Sequence, residues 1–174
     1  MHEARRHDRR SQTCARELAM DFHDRAWRLI EDDRRSPGEL LELVDLAHAS
    51  RMLWRIAEPC ADAVVHLRAH QLVSIAAARA GDTHSAFAAA RLAAGSEWTG
   101  HNHATPRDRA MTLAAMLLAH LTRPGFHDPA PALRAIGSLP ESERALFRRI
   151  LPYPVRLFEH HAPAEDCILA LPCK

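Results

Sequence analysis

Two histidines, His66 and His70, lie four positions apart in the segment HLRAH. On a helix this spacing places both imidazoles on one face, where they can share a transition metal such as zinc. A zinc protease of the HExxH type would need a glutamate directly after the first histidine, and Leu67 stands there instead. One alternative that the pair predicts is therefore a small helical protein that binds a metal or another ligand and that could be an enzyme. In this alternative, a loop or the C-terminus supplies the third ligand beside His66 and His70.

Other patterns that carry chemistry are missing from the sequence. The four cysteines, Cys14, Cys60, Cys167 and Cys173, form no CxxC pair and predict free thiols in a reducing compartment. The six glycines form neither GxGxxG nor GxxxxGK, so no phosphate-cradling loop is expected. We therefore assign no catalytic residue and expect a protein that is not an enzyme, with no cofactor outside the metal alternative.

Composition predicts an all-α protein. The chain has 174 residues, of which 32 are alanine and 22 arginine, both strong helix formers. Lys plus Arg is 23 and Asp plus Glu is 22, so the chain is almost neutral and is not a polycationic nucleic-acid binder. Residues 1–10, MHEARRHDRR, predict a flexible basic arm. A regulator whose arm contacts nucleic acid is a further alternative, although Glu3 and Asp8 dilute its charge.

The remaining chain predicts one domain and a short tail. Residues 11–161 form a single all-α domain, and residues 162–174 form an apolar C-terminal tail. The charged start is not followed by an apolar signal region, and no apolar stretch is long enough to span a membrane. We expect a cytoplasmic protein without a membrane partner.

Helix-terminating and helix-starting residues predict about seven helices. The first helix is expected to begin at Ser11 or Thr13. The segment Ser36-Pro37-Gly38-Glu39 is a capping box that starts the second helix. Pro59 is expected to start the third, Gly81 to end it, and Gly95 to end the fourth. Thr105-Pro106 predicts the start of the fifth.

Two helix–turn–helix units repeat at an offset of 44 residues. Gly81 and Gly125 occupy the turns, and Ala86 and Ala130 follow five positions later, where small residues allow two helices to cross closely. This pattern resembles the tetratricopeptide (TPR) repeat. The chain is also similar to uncharacterised bacterial TPR-like proteins, through Leu46-Ala47-His48-Ala49-Ser50 with Trp54 and through 142–147 (SERALF). The resemblance implies a stack of antiparallel helical hairpins with a C-terminal cap.

The resemblance also implies a concave groove lined by the first helix of each hairpin. At the family's spacing, the residues that line this groove are Arg68, Gln71, Ile75, Arg79, Thr112 and Arg123. Guanidinium groups in a groove can bind carboxylates through bidentate hydrogen bonds. The leading hypothesis is a non-catalytic interaction module that binds a peptide or partner protein there, or forms a homodimer.

Overall fold

The chain folds into helices throughout the part that the computed structural model describes, which comprises residues 2–32, 35–59, 64–98, 104–122 and 130–151. No strand occurs in these ranges, which confirms the predicted all-α class. The helices are α1 (His2–Glu31), α2 (Pro37–Ala57), α3 (Val64–Arg79), α4 (Thr83–Trp98), α5 (Pro106–Leu121), α6 (Ala130–Gly137) and α7 (Glu141–Ile150).

Capping boxes start two helices where the sequence predicts a helix start, although only the box at Ser36 was itself predicted. The Ser36 hydroxyl accepts a hydrogen bond from the backbone N–H of Glu39, whose carboxylate accepts one in return from the Ser36 N–H. Thr105 and Asp108 make the same reciprocal pair at the start of α5. In each case a proline follows the cap, where its missing N–H costs no helical hydrogen bond.

Two predicted helix boundaries are wrong, and a third is not tested. Helix α1 begins at His2, so residues 2–10 lie in the helix and not in an arm before it; Glu, Ala and Arg there are all good helix formers. The predicted start of α3 at Pro59 adjoins residues 60–63, which lie outside the described residues, and α3 is described from Val64. Helix α4 continues through Gly95 to Trp98, because a glycine ends a helix when it adopts a positive φ, and Gly81 is the glycine that does so in the described ranges.

Helices that follow one another along the chain pack together, and α3 contacts four other helices. Helix α1 packs on α2, α2 on α3, α3 on α4, α4 on α5 and α5 on α6, while α3 also contacts α1 and α5. Buried serines join neighbouring backbones: the Ser50 hydroxyl donates to Ala19 O at 2.9 Å, and the Ser74 hydroxyl donates to Ala86 O at 2.9 Å. Small side chains such as the fully buried Ala86 let the helix axes approach closely.

Helix α7 closes the bundle by packing on α1, α5 and α6. Its apolar face carries Phe147 and Ile150, both fully buried, and Leu151 follows them into the core. The predicted turn at Gly125 and the predicted tail, 162–174, lie outside the described residues. Within the described residues, every helix is too short or too polar to cross a membrane.

Gly81 and Gly95 provide a matched pair of substitutions to alanine. Gly81 has φ +78°, a conformation that costs an L-residue about 1 kcal/mol, whereas Gly95 lies in a helix, and an added Cβ would meet no atom within 4 Å at either site. We expect Gly81→Ala to lower the free energy of unfolding by about 1 kcal/mol and Gly95→Ala to raise it by about 0.5 to 1 kcal/mol. Urea denaturation measures both, and equal effects would contradict the assigned backbone conformations.

Candidate binding pocket

A cavity of about 340 Å³ lies where α1, α3, α5 and α7 meet. Its volume is at the lower end of the range of small-ligand sites. Four residues of α1 form one wall, two of α3 and three of α5 form the opposite wall, and one residue of α7 adds an apolar side chain. The lining residues are His23, Asp24, Trp27, Glu31, Arg68, Gln71, Arg107, Asp108, Met111 and Leu146.

Asp108 organises the wall formed by α3 and α5. Its side chain is 5% exposed, and it accepts a bidentate pair of hydrogen bonds from Arg68, Nε to Oδ1 at 2.8 Å and Nη2 to Oδ2 at 3.2 Å. The same carboxylate accepts the Thr105 N–H and hydroxyl at the start of α5. One buried carboxylate therefore both caps α5 and ties it to α3.

The hydrogen bonds of Asp108 set its protonation state. Burial alone would raise the pKa of the Asp108 carboxyl, but the hydrogen bonds from Arg68 and Thr105 and the charge of Arg68 outweigh it and lower the pKa below its ordinary value. Asp108 is therefore ionised at neutral pH, and its charge is balanced by Arg68.

Gln71 continues this connection deeper between the helices. Its side-chain N–H groups donate to Asp108 O at 2.8 Å and to the Thr112 hydroxyl at 2.9 Å. Gln71 and Thr112 are each 2% exposed. These bonds fix how far α3 can slide along α5, because a shift of one residue would leave buried polar groups without partners.

A neutral histidine lies on the α1 wall. Trp27 Nε1 donates a hydrogen bond to His23 Nε2 at 2.9 Å, which requires that nitrogen to be unprotonated. Burial lowers the pKa of His23, the charge of Arg68 lowers it further, and Asp24 partly opposes them. His23 Nδ1, which carries the ring proton, is buried without a hydrogen-bond partner in the described structure.

The pocket has charges of both signs. Glu31 pairs with Arg149 of α7 at 2.8 Å, and Asp108 pairs with Arg68. Asp24 and Arg107, both exposed, form no ion pair within the described ranges. The pocket therefore offers an unpaired carboxylate on the α1 wall and an unpaired guanidinium on the α5 wall.

The residues predicted to line the groove occupy several environments. Arg68 and Gln71 line the pocket, and Thr112 lies behind Gln71. Ile75 is fully buried in the core and does not line it. Arg79 donates to the backbone oxygens of Arg149 and, at 2.9 Å, Ile150, so it caps the C-terminal end of α7. Arg123 lies outside the described residues.

Several lining residues were missed by the sequence analysis. His23 and Trp27 have i, i+4 spacing, a signal that could have suggested their contact. Asp108 was not predicted to line a binding site, because its partner on α3, Arg68, is 40 positions away. No local pattern indicated that Leu146 of α7 would reach the same cavity.

His66 and His70 lie on the other side of α3, toward α2. His66 Nε2 makes a hydrogen bond with the backbone oxygen of Glu58, just after α2. Burial lowers the pKa of His70 to about 4, and the charges of Arg51, His66 and Arg55 contribute. Within the described residues, no three potential ligands among His, Cys, Asp and Glu come together around a metal position.

Comparison of the chain with protein-family models, with curated proteins and with solved structures finds no match. The chemistry of the pocket is therefore the basis for assigning a function.

Replacing Asp108 by asparagine tests the role of the buried carboxylate. We expect Asp108→Asn to lower the free energy of unfolding by about 2 kcal/mol at pH 7, because it weakens the bonds to Arg68 and Thr105. Since the folded state lowers the pKa of Asp108, this stabilisation exists above the unfolded-state pKa of about 3.9 and is lost as the pH falls through the folded-state value.

The measurement is urea denaturation at several pH values between 3 and 7. Asp24→Asn is the control, because Asp24 lines the same cavity but is exposed and makes no ion pair in the described structure; it should change stability by less than about 0.5 kcal/mol. Equal effects of the two substitutions would show that Asp108 does not organise this wall.

His70 gives a second pH-dependent prediction. Its folded-state pKa, about 4, lies below the model-peptide value of 6.5, so the unfolded chain binds the proton more strongly. The contribution of His70 to stability is complete above pH 6.5 and decreases as the pH falls toward 4. We expect His70→Ala to flatten the stability profile between these values. An unchanged slope in the variant would exclude a buried, neutral His70.

Proposed function

We propose that the protein is a non-catalytic, TPR-like interaction module that binds a peptide segment of a partner at the α1/α3/α5/α7 pocket. The observation that carries the proposal is that the first helix of each of three successive hairpins contributes to one cavity. In tetratricopeptide repeats, the first helices of successive hairpins line the ligand-binding face. The turn at Gly81 and the buried Ala86 support the same architecture.

The side chains around the cavity suit a peptide. Asp24 and Arg107 present opposite charges on facing walls, and Met111 and Leu146 present apolar surface between them. A peptide carries charged, hydrogen-bonding and apolar groups close together along its backbone, and a site of this composition can bind all three.

The charge balance of the pocket disfavours nucleic acid as the ligand. Three carboxylates, Asp24, Glu31 and Asp108, line it against two guanidiniums, Arg68 and Arg107. Nucleic-acid binding depends on an excess of cations that neutralise phosphates. The surroundings of His66 and His70 also disfavour the metal alternative, because Arg51 and Arg55 place positive charge near the imidazoles.

Helix α7 restricts the length of peptide that can bind. It packs on α1 and α5 and contributes Leu146 to the cavity. Arg79, which the sequence analysis assigned to ligand binding, instead binds the last carbonyls of α7. The ligand is therefore a short segment that enters beside α7, and the residues that select it are Arg107 and Asp24 rather than Arg79.

Selection from a displayed library of short random peptides tests this function. We expect peptides selected on the wild-type protein to bind Arg107→Glu at least about tenfold more weakly, because the substitution replaces an attractive charge by a repulsive one. Arg91→Glu, at an exposed position of α4 outside the cavity, makes the same change in net charge and should bind normally. Failure to select any peptide, or equal binding by both variants, would contradict the proposal.

A further inference from the structure

A second group of basic residues lies between α2 and α3, away from the pocket. It comprises Arg51 and Arg55 of α2 and His66 and His70 of α3, and we call it the basic seam. Each pair has i, i+4 spacing, so its two members share a helix face. Helices α2 and α3 pack on each other, His66 makes a hydrogen bond with the Glu58 backbone oxygen just after α2, and the charges of Arg51 and Arg55 act on the His70 ring. The α2 pair and the α3 pair therefore lie side by side.

Two nitrogens of the basic seam are buried without a hydrogen-bond partner in the described structure, Arg51 Nε and His70 Nδ1. Both side chains are half-buried, and Arg55 beside them is exposed. Buried N–H donors are almost always paired in folded proteins, and each one left unpaired costs free energy. Arg51 Nε always carries a hydrogen, so this nitrogen indicates a missing acceptor, and the neutral His70 ring supplies a second donor when its proton is on Nδ1.

No carboxylate in the described ranges supplies that acceptor. The nearest one on the chain, Glu58, forms an ion pair with Arg16 of α1. Arg51 and Arg55 make no ion pair with any described residue, and both charges act on the His70 ring. Among the described residues, the seam therefore has an excess of positive charge, which attracts an anion and repels a divalent metal.

We propose that the basic seam is an anion site that binds a phosphate group, either free phosphate or a small phosphomonoester. Two guanidiniums supply the two positive charges that match a phosphate dianion, and the donors come from two helices, so several oxygens of a tetrahedral group are bound at once. A carboxylate has one negative charge and would leave one arginine without a counter-charge. This site is independent of the peptide pocket on the opposite side of α3.

Calorimetric titration of the full chain at pH 7 tests the proposal, with inorganic phosphate, phenyl phosphate and acetate as probes at constant ionic strength. We expect saturable binding of inorganic phosphate, tighter than that of acetate, and a phosphate-dependent shift of the His70 ring signals in NMR spectra. Phenyl phosphate distinguishes the two sources: tighter binding than inorganic phosphate indicates a phosphomonoester, and weaker binding indicates the free ion.

The double variant Arg51→Gln/Arg55→Gln should bind phosphate at least about tenfold more weakly. The matched control Arg91→Gln/Arg134→Gln removes the same net charge at exposed positions of α4 and α6 and should bind as the wild type does. If the double variant does not fold, Arg55→Gln, at an exposed site, should still weaken binding. Any of three outcomes would overturn the proposal. These are phosphate binding that survives both variants, an affinity for phosphate equal to that for acetate, and zinc binding at His66 and His70.

Discussion

The bidentate pairing of Arg68 with Asp108 is the interaction on which the arrangement of α3 and α5 depends. A carboxylate that is 5% exposed would be costly to bury alone, and it is retained because a guanidinium, a backbone N–H and a hydroxyl all bind it. The Asp108 carboxylate caps the N-terminus of α5 and also attaches α5 to α3. The shape of the pocket wall formed by α3 and α5 follows from this geometry, because Arg68 and Asp108 are both residues of that wall.

Helix α7 occupies hydrogen-bond donors of Arg79, one of the residues that were predicted to line the groove. Arg79, which was predicted to line a ligand-binding groove, donates hydrogen bonds to the C-terminal carbonyls of α7. The free carbonyls at a helix C-terminus carry partial negative charge, so they bind a guanidinium as a ligand's carboxylate would. The pocket lined by α1, α3 and α5 lies beside α7.

The features predicted correctly from sequence are those determined within a few residues. The capping box from Ser36 to Glu39 and the left-handed turn at Gly81 depend on neighbours along the chain. Gly95 shows the limit of such rules: whether a glycine ends a helix depends on its φ, and packing around Ala93, fully buried two residues earlier, can decide that φ. The pairing of Arg68 with Asp108 depends on the register between α3 and α5. The two residues are 40 positions apart, so no local sequence pattern indicates this register.

The position of α3 has a consequence for how the molecule can be divided. It contacts α1, α2, α4 and α5, and from Gln71 to Ala77 every side chain is buried. Chain segments on either side of α3 both need its surface to cover their own apolar faces. Cutting the protein between hairpins would therefore not yield two autonomous halves, and its unfolding should be cooperative, with α3 the last helix whose amides exchange with solvent.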